Sequence, residues 1–263
     1  MLLLITNIQL FFWMKEITGK KELIRQLKDS LLELEGFHVQ PDGDRVDFGL
    51  GAMNRAFPRG CFPTAAVHEL ISVSESCAAA ANGFLVGLLA SLLKKGRMCL
   101  WVSTERHLFP PALKFFGVEP HQFIFVDVHQ TADALWVMEQ ALRCSSLAAV
   151  VAEMNDVSFA ESRRLQLAVE ESRVTGFLHR QHLQVENTLA CVSRWKVRPL
   201  PGQLPDDLPG VGFPCLEVEL EKMRNGKSGR WQLEWKDGTF CTKPLERSVE
   251  RTSERSLKIS NYA

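Results

Sequence analysis

The stretch from Ala65 to Leu93 constrains the fold most. An apolar run, Ala65 to Val73, meets a short polar segment, Ser74-Glu75-Ser76-Cys77, and then an alanine- and leucine-rich run, Ala78 to Leu93. Strand, short loop and helix in that order is the layout in which backbone N–H groups at a helix N-terminus hold an anion. A phosphate-binding loop needs Gly at both ends, then Lys, then Ser or Thr. Counted back from the helix, Ser72 and Cys77 take the Gly places, Ala78 the Lys place and Ala79 the hydroxyl place. Without Lys there is no cation for the β/γ-phosphates, and without the hydroxyl there is no Mg²⁺ ligand. The stretch therefore predicts a nucleotide-binding architecture that has lost its chemistry: no catalytic residue, no cofactor and no metal.

The rest of the chain supports an α/β fold with a mainly parallel sheet flanked by helices. Met98 to Ser103 and Leu147 to Ala152 are apolar runs, the mark of strands buried on both faces; Phe123 to Val128 and Val174 to Leu178 are further strands. Between them the spacing predicts helices over Ala78 to Lys95, Pro110 to Phe116, Thr131 to Cys144 and, from the capping box Ser158-Phe159-Ala160-Glu161, to about Ser172. Strands alternating with helices imply a parallel sheet with helices on both faces. Leu23, Ile24, Leu27, Leu31 and Leu34 share one helical face, closed by Gly36, so an N-terminal helix is expected over residues 20–35. After Ala190 the pattern changes. Leu189 to Val197, Cys215 to Met223 and Arg230 to Trp235 alternate apolar and polar residues, as antiparallel strands with one solvated face do. The proline-rich segment from Pro199 to Pro214 is read as a connector. The expected organisation is a leader (1–19), helix and linker (20–64), core (65–198), linker and hairpin (199–236) and charged tail (237–263). The apolar start, Met1 to Trp13, is too short to span a bilayer and has no basic n-region, so it is read as a floppy leader or an overextended gene start, and no membrane contact is expected.

The formal charge is zero, so no global field draws the chain to DNA. Local basic residues remain. Arg194, Lys196 and Arg198 share one face of a strand, and Arg224 and Lys227 sit at a hairpin tip; they are candidates for DNA or protein contact, diluted by Glu217, Glu219 and Glu221 nearby. Trp195, Trp231 and Trp235 are either interface anchors or cover for the end of the core. The seven cysteines form no CxxC pair and lie among apolar neighbours, which predicts core thiols in a reducing cytoplasmic compartment. His179 and His182 lack a third ligand at metal-binding spacing and read as a strand end. In the tail, Glu246-Arg247, Glu250-Arg251 and Glu254-Arg255 repeat beside a thin apolar line of Leu245, Val249 and Leu257. Such a stretch is a solvated tail, or one that folds on a partner, with these apolar and arginine residues as candidate partner contacts.

Four segments carry a resemblance that spans most of the chain: Arg59-Gly60-Cys61 with His68-Glu69-Leu70; Leu100-Trp101-Val102-Ser103; Glu139-Gln140-Ala141-Leu142-Arg143-Cys144 with Ala148-Ala149-Val150-Val151; and Ser162-Arg163-Arg164-Leu165-Gln166-Leu167-Ala168 with Gly176-Phe177-Leu178. From about Lys20 to Trp235 the chain resembles the RecA-like recombinase fold, and in detail the ImuA family, the RecA/SulA-related accessory proteins of bacterial SOS mutagenesis cassettes. The resemblance implies a RecA-like core with an N-terminal helix and C-terminal antiparallel strands. It places Glu105 where RecA has its catalytic glutamate and Glu153 at the acidic end of the metal-binding strand. Both are read as vestigial, polar residues where strand ends meet water. The resemblance also implies a non-catalytic partner of a polymerase-like hub (ImuB) and of RecA and, indirectly, of an error-prone C-family polymerase in translesion synthesis, with weak DNA contact at most. Two other readings stand beside it: a DNA-dependent ATPase acting as a recombination mediator, which needs a working phosphate loop, and a SulA-like division inhibitor, whose chains are shorter.

Overall fold

The structure is a computed structural model that describes residues 46–94, 96–181, 183, 186–202 and 212–243. The expected leader, the helix of residues 20–35, His182 and the tail beyond Lys243, with Leu245, Arg247, Val249, Arg251, Arg255 and Leu257, lie outside the described residues.

One sheet of nine strands organises the chain, in the order β3-β2-β4-β5-β1-β6-β7-β8-β9. Its first six members are parallel: β1 (Val67–Ser72), β2 (Met98–Ser103), β3 (Phe123–Asp127), β4 (Leu147–Glu153), β5 (Thr175–Gln181) and β6 (Ser193–Leu200). The last three, β7 (Cys215–Met223), β8 (Gly229–Lys236) and β9 (Thr239–Lys243), are antiparallel. Every residue of β1, β4 and β5 is buried; β4 reads accordingly as an apolar run, whereas β1 and β5 bury polar residues such as Glu69, His179 and Arg180 as well. Three helices flank the sheet: α1 (Glu75–Leu92), α2 (Thr131–Leu142) and α3 (Phe159–Ser172). α1 packs with residues 48–62 on one face, around Trp101, Phe177 and Trp195. α2 and α3 cover the other face, around Val102, Val150 and Leu178. By length and composition α1 could cross a membrane, but 61% of it is buried in the fold, so it is the core helix of the sheet.

Local chemistry explains where the elements start and stop. The Ser158 hydroxyl accepts from Glu161 N, and the Glu161 carboxylate accepts from Ser158 N, completing the capping box that opens α3. Gly87 has no side chain because a Cβ there would lie 2.3 Å from the Phe240 ring; its absence lets β9 press against α1. The segment expected as a helix over Pro110–Phe116 is a 3-10 helix.

The C-terminal antiparallel strands are present as expected, and they extend the core sheet. Two bounds in this part need correction. Pro199 and Leu200 belong to β6, not to a connector. Residues 239–243, assigned to the tail, form β9: Trp235 pairs with Phe240, and the Phe240 ring sits 4.8 Å from the Trp235 ring. β9 was hidden because Thr-Phe-Cys-Thr-Lys carries only one large apolar residue, and that residue does the docking.

Trp195 and Trp235 are buried, and Trp231 is half-buried against the same core. They are core residues, not interface anchors. Alternation along β6 and β8 shows that two faces differ, but not that α1 and residues 48–62 cover one of them. Trp195 also closes a hydrogen-bond chain. Its Nε1 donates to Ser193 Oγ at 2.6 Å, Ser193 Oγ donates to His68 Nδ1 at 2.6 Å, and His68 Nε2 donates to Pro63 O at 2.8 Å. Burial, against the raising effect of the Pro63 hydrogen bond, pushes the His68 pKa down to about 4, so the ring is neutral as this chain requires.

Candidate functional site

Open α/β sheets take ligands outside the carboxyl ends of their strands. At that edge only Val73 and Ser74 separate β1 from α1. The expected loop to Ala78 is not there: α1 begins at Glu75, three residues early. Ser74 is the reason. It is extended, and its hydroxyl accepts from Cys77 N at 3.3 Å, capping the helix and occupying one of the N–H groups an anion would need. Glu75 then puts a carboxylate in the first turn, where the helix dipole favours negative charge. Cys77 and Ala78 are buried inside α1 and Ala79 lies on its exposed side, so the positions counted as a degenerate phosphate loop are helix, not loop.

Beside this turn the strand ends converge on a sealed polar cluster. Ser72 ends β1, Ser103 ends β2, Glu153 ends β4, and His179 lies near the end of β5. Ser103 Oγ donates to Glu153 Oε2 at 2.6 Å, and Asn82 Nδ2 of α1 donates to Glu153 Oε1 at 3.0 Å. Ser72 Oγ lies 2.8 Å from His179 Nε2, and His179 Nδ1 faces Glu153 Oε1 at 3.9 Å. Burial, with a smaller effect from His107, pushes the His179 pKa down to about 3, so the ring is neutral. A neutral ring places its proton on Nδ1, toward the carboxylate, and accepts the Ser72 hydroxyl proton at Nε2, because the opposite tautomer would set a lone pair against Glu153.

Serine, histidine and acid stand in the order of a nucleophilic relay, but the cluster cannot act as one. Ser72, His179 and Glu153 are 1%, 0% and 3% exposed, and Glu153 is committed to Ser103 and Asn82. The cluster ties four strands and a helix together and fills the space beneath a ligand's usual seat. Glu153 was expected at a strand end meeting water; it is buried instead, because Asn82 reaches down from α1 to meet it. Glu105 fits that expectation, standing exposed in the loop after β2, with His107 Nε2 4.0 Å away. Asn82 and Ser103 could not be picked out as partners from the sequence: both belong to apolar runs, and their common acceptor lies 71 and 50 residues away.

An open groove of about 780 Å³ lies next to the cluster, between α1, residues 107–116 and the strand ends Leu200, Leu216 and Trp235. Its lining is mostly apolar.

The basic candidates are not gathered into one patch. Arg194, Lys196 and Arg198 lie on the face of β6 away from α1, and each meets acid. Arg194 Nε donates to the buried Glu69 at 2.8 Å, and Arg180 holds the other oxygen of Glu69 at 2.9 Å. Lys196 Nζ lies 2.7 Å from both Glu186 and Glu221. Arg198 reaches Glu217 at 2.9 Å and Glu219 at 3.2 Å. Arg230 completes the ladder from β8, and its hydrogen bond is the main cause holding the Glu219 carboxyl below its ordinary pKa. Arg224 and Lys227 sit at the opposite edge of the sheet, in the β7–β8 turn, where Lys227 N donates to Ala56 O at 2.8 Å. Among the described residues no group of three or more His, Cys, Asp or Glu could hold a metal ion, and all seven thiols are free.

No family model matches the chain. It is 33% identical over 202 residues to the protein named Protein ImuA in Caulobacter vibrioides, both in strain NA1000 / CB15N and in strain ATCC 19089 / CIP 103742 / CB 15. In each case the alignment covers 72% of this chain and 82% of the relative. The chain belongs to the ImuA family. That membership assigns the chain to the SOS mutagenesis cassette family.

Proposed function

We propose that this ImuA-family chain is a non-catalytic accessory protein of SOS-induced, error-prone translesion DNA synthesis. It acts through protein contacts with an ImuB-like polymerase hub, with RecA, or with both, and meets the error-prone C-family polymerase only through them. The observation that carries the reading is the closed carboxyl edge. A turn of two residues, a serine cap on the helix N–H groups, a first-turn carboxylate and a sealed Ser72–His179–Glu153 cluster leave neither cradle nor cation for a triphosphate. The self-neutralised ladder on β6 to β8 argues in the same direction, because strong backbone binding to DNA needs uncompensated positive charge.

The test has two arms. Calorimetry with Mg²⁺-ATP should give no binding heat at micromolar concentrations, and tagged full-length protein should capture the hub or RecA from cells after DNA damage. Micromolar, Mg²⁺-dependent ATP binding would revive the ATPase reading. Capture of neither partner would remove the accessory reading.

A further inference from the structure

The groove at the carboxyl edge is apolar, open and rimmed by exposed aromatic groups: Phe109 in its wall is 67% exposed. Exposed aromatic surface beside an apolar cleft marks a docking site. The path of the chain indicates the occupant. β9 runs antiparallel to β8, β8 to β7 and β7 to β6, so β9 starts at the edge where β6 ends, which is the edge of the groove. Gly49 lies against Thr239 and Phe240, and Gly51 against Thr242 further down β9. Followed backward from Gly51, the chain climbs toward that same edge. It leaves the described structure at Val46, packed on the apolar cluster that floors the groove through Leu113 and Trp235. The tail departs differently. Lys243 leaves β9 opposite Gln232, lower on β8 and heading away from the groove.

Preceding Val46 are 45 residues that include one amphipathic segment, residues 20–36, whose Leu23, Ile24, Leu27, Leu31 and Leu34 share a helical face. Residues 37–45 tether it, and nine extended residues span at most about 30 Å. A short tether holds its load at an effective concentration of about millimolar, so even weak apolar complementarity suffices in the same molecule. We propose that residues 20–36 dock in cis, as a helix, into the groove between α1 and residues 107–116. There the leucine face covers Phe109, Ala79 and Ala112. The groove is then an internal seat, occupied by the protein's own N-terminal segment.

Peptide-resolved hydrogen exchange on the full-length chain tests this. Residues 20–36 should be protected, and the double substitution Leu27→Asp/Leu31→Asp should raise exchange at least about tenfold both there and across residues 108–116, with the melting temperature unchanged. Lys28→Asp, on the polar face of the segment, should change neither. Ala79→Trp, which fills the groove from α1, should deprotect residues 20–36 without touching them. Protection should not change on dilution. Free exchange of residues 20–36 in the unaltered chain would overturn the proposal. So would residues 108–116 failing to respond to the double substitution. Protection that grows with protein concentration, together with a dimer in sedimentation, would assign the groove to a second copy and overturn docking in cis. Protection that arises only on adding a partner would assign the groove to that partner and overturn docking in cis equally. If Ala79→Trp fails to fold, the double substitution still decides.

Discussion

Glu153 separates a structural plug from a remnant of metal chemistry. Its two oxygens accept from Ser103 Oγ and Asn82 Nδ2, and the site is sealed from water. Glu153→Ala strands both donors, at about 1–3 kcal/mol each. It also leaves a small void worth about 1 kcal/mol. A loss of about 4 kcal/mol follows from these two costs. In a chain of this size that corresponds to a fall in melting temperature of roughly 8–16 °C. Glu153→Gln keeps the volume. Its carbonyl can still accept from Asn82, and its amide can donate to the Ser103 hydroxyl, so the loss should be about 1 kcal/mol or less. Urea unfolding followed by circular dichroism measures both variants. Mg²⁺-ATP should leave the unaltered protein's melting curve in place, whereas a ligand at a hundred times its Kd would add about 2.7 kcal/mol. Equal losses in the Ala and Gln variants, or a melting temperature raised by Mg²⁺-ATP, would refute the plug.

Stability should fall with acid. His68 and His179 have folded pKa values of about 4 and about 3 against an ordinary 6.5, so unfolding takes up protons, and stability is lost as pH drops below about 6.5, by up to about 1.4 kcal/mol per pH unit for each ring; His179→Gln should flatten that slope in pH-dependent urea titrations, and an unchanged slope would contradict it. Replacing Glu186, Glu217, Glu219 and Glu221 by Gln releases Lys196, Arg198 and Arg230 from their partners, and fluorescence anisotropy should then detect single-stranded DNA binding that weakens with salt. Equal binding by the unaltered chain would show that the ladder is not self-neutralising. Deleting residues 244–263, while keeping Lys243 for its 2.7 Å contact to Glu234, should leave the melting temperature unchanged and reduce capture of the hub or RecA; undiminished capture would end the docking role of Leu245, Val249 and Leu257.

Signals confined to one segment were legible in the sequence. Leu147 to Ala152 read as a buried strand because inner parallel strands are apolar on both faces, Phe123 to Asp127 read as a strand and forms the sheet edge, and Ser158 and Glu161 announced α3. The start of α1 was misplaced because counting from a phosphate loop presumes the length of that loop, whereas the Ser74 cap and Glu75 set the true boundary. The pairing of Ser72 with His179 spans 107 positions and left no periodic trace. Arg194, Lys196 and Arg198 were visible as a stripe, and so were the glutamates opposite. The register sets Arg198 against Glu217, but Lys196 is met by Glu186 and Glu221 and Arg194 by Glu69 of β1, pairings that no stripe on one strand announces.

The carboxyl edge meets with its own side chains the needs that a bound nucleotide meets in other α/β proteins. In a nucleotide-binding α/β protein the triphosphate satisfies the helix N–H groups and its metal satisfies the acidic strand end. Remove both, and the N–H groups and the carboxylate are left beside apolar strands, each at a cost. Here the first need is met by Ser74 and the second by Ser103 and Asn82, while Glu75 supplies the negative charge that the dipole favours. Phosphate at α1 would have to displace the Ser74 cap and meet the Glu75 carboxylate. Ala78→Lys alone should therefore create no phosphate site. Ala78 is buried in a continuous helix, and an ammonium there would face the core rather than a cradle.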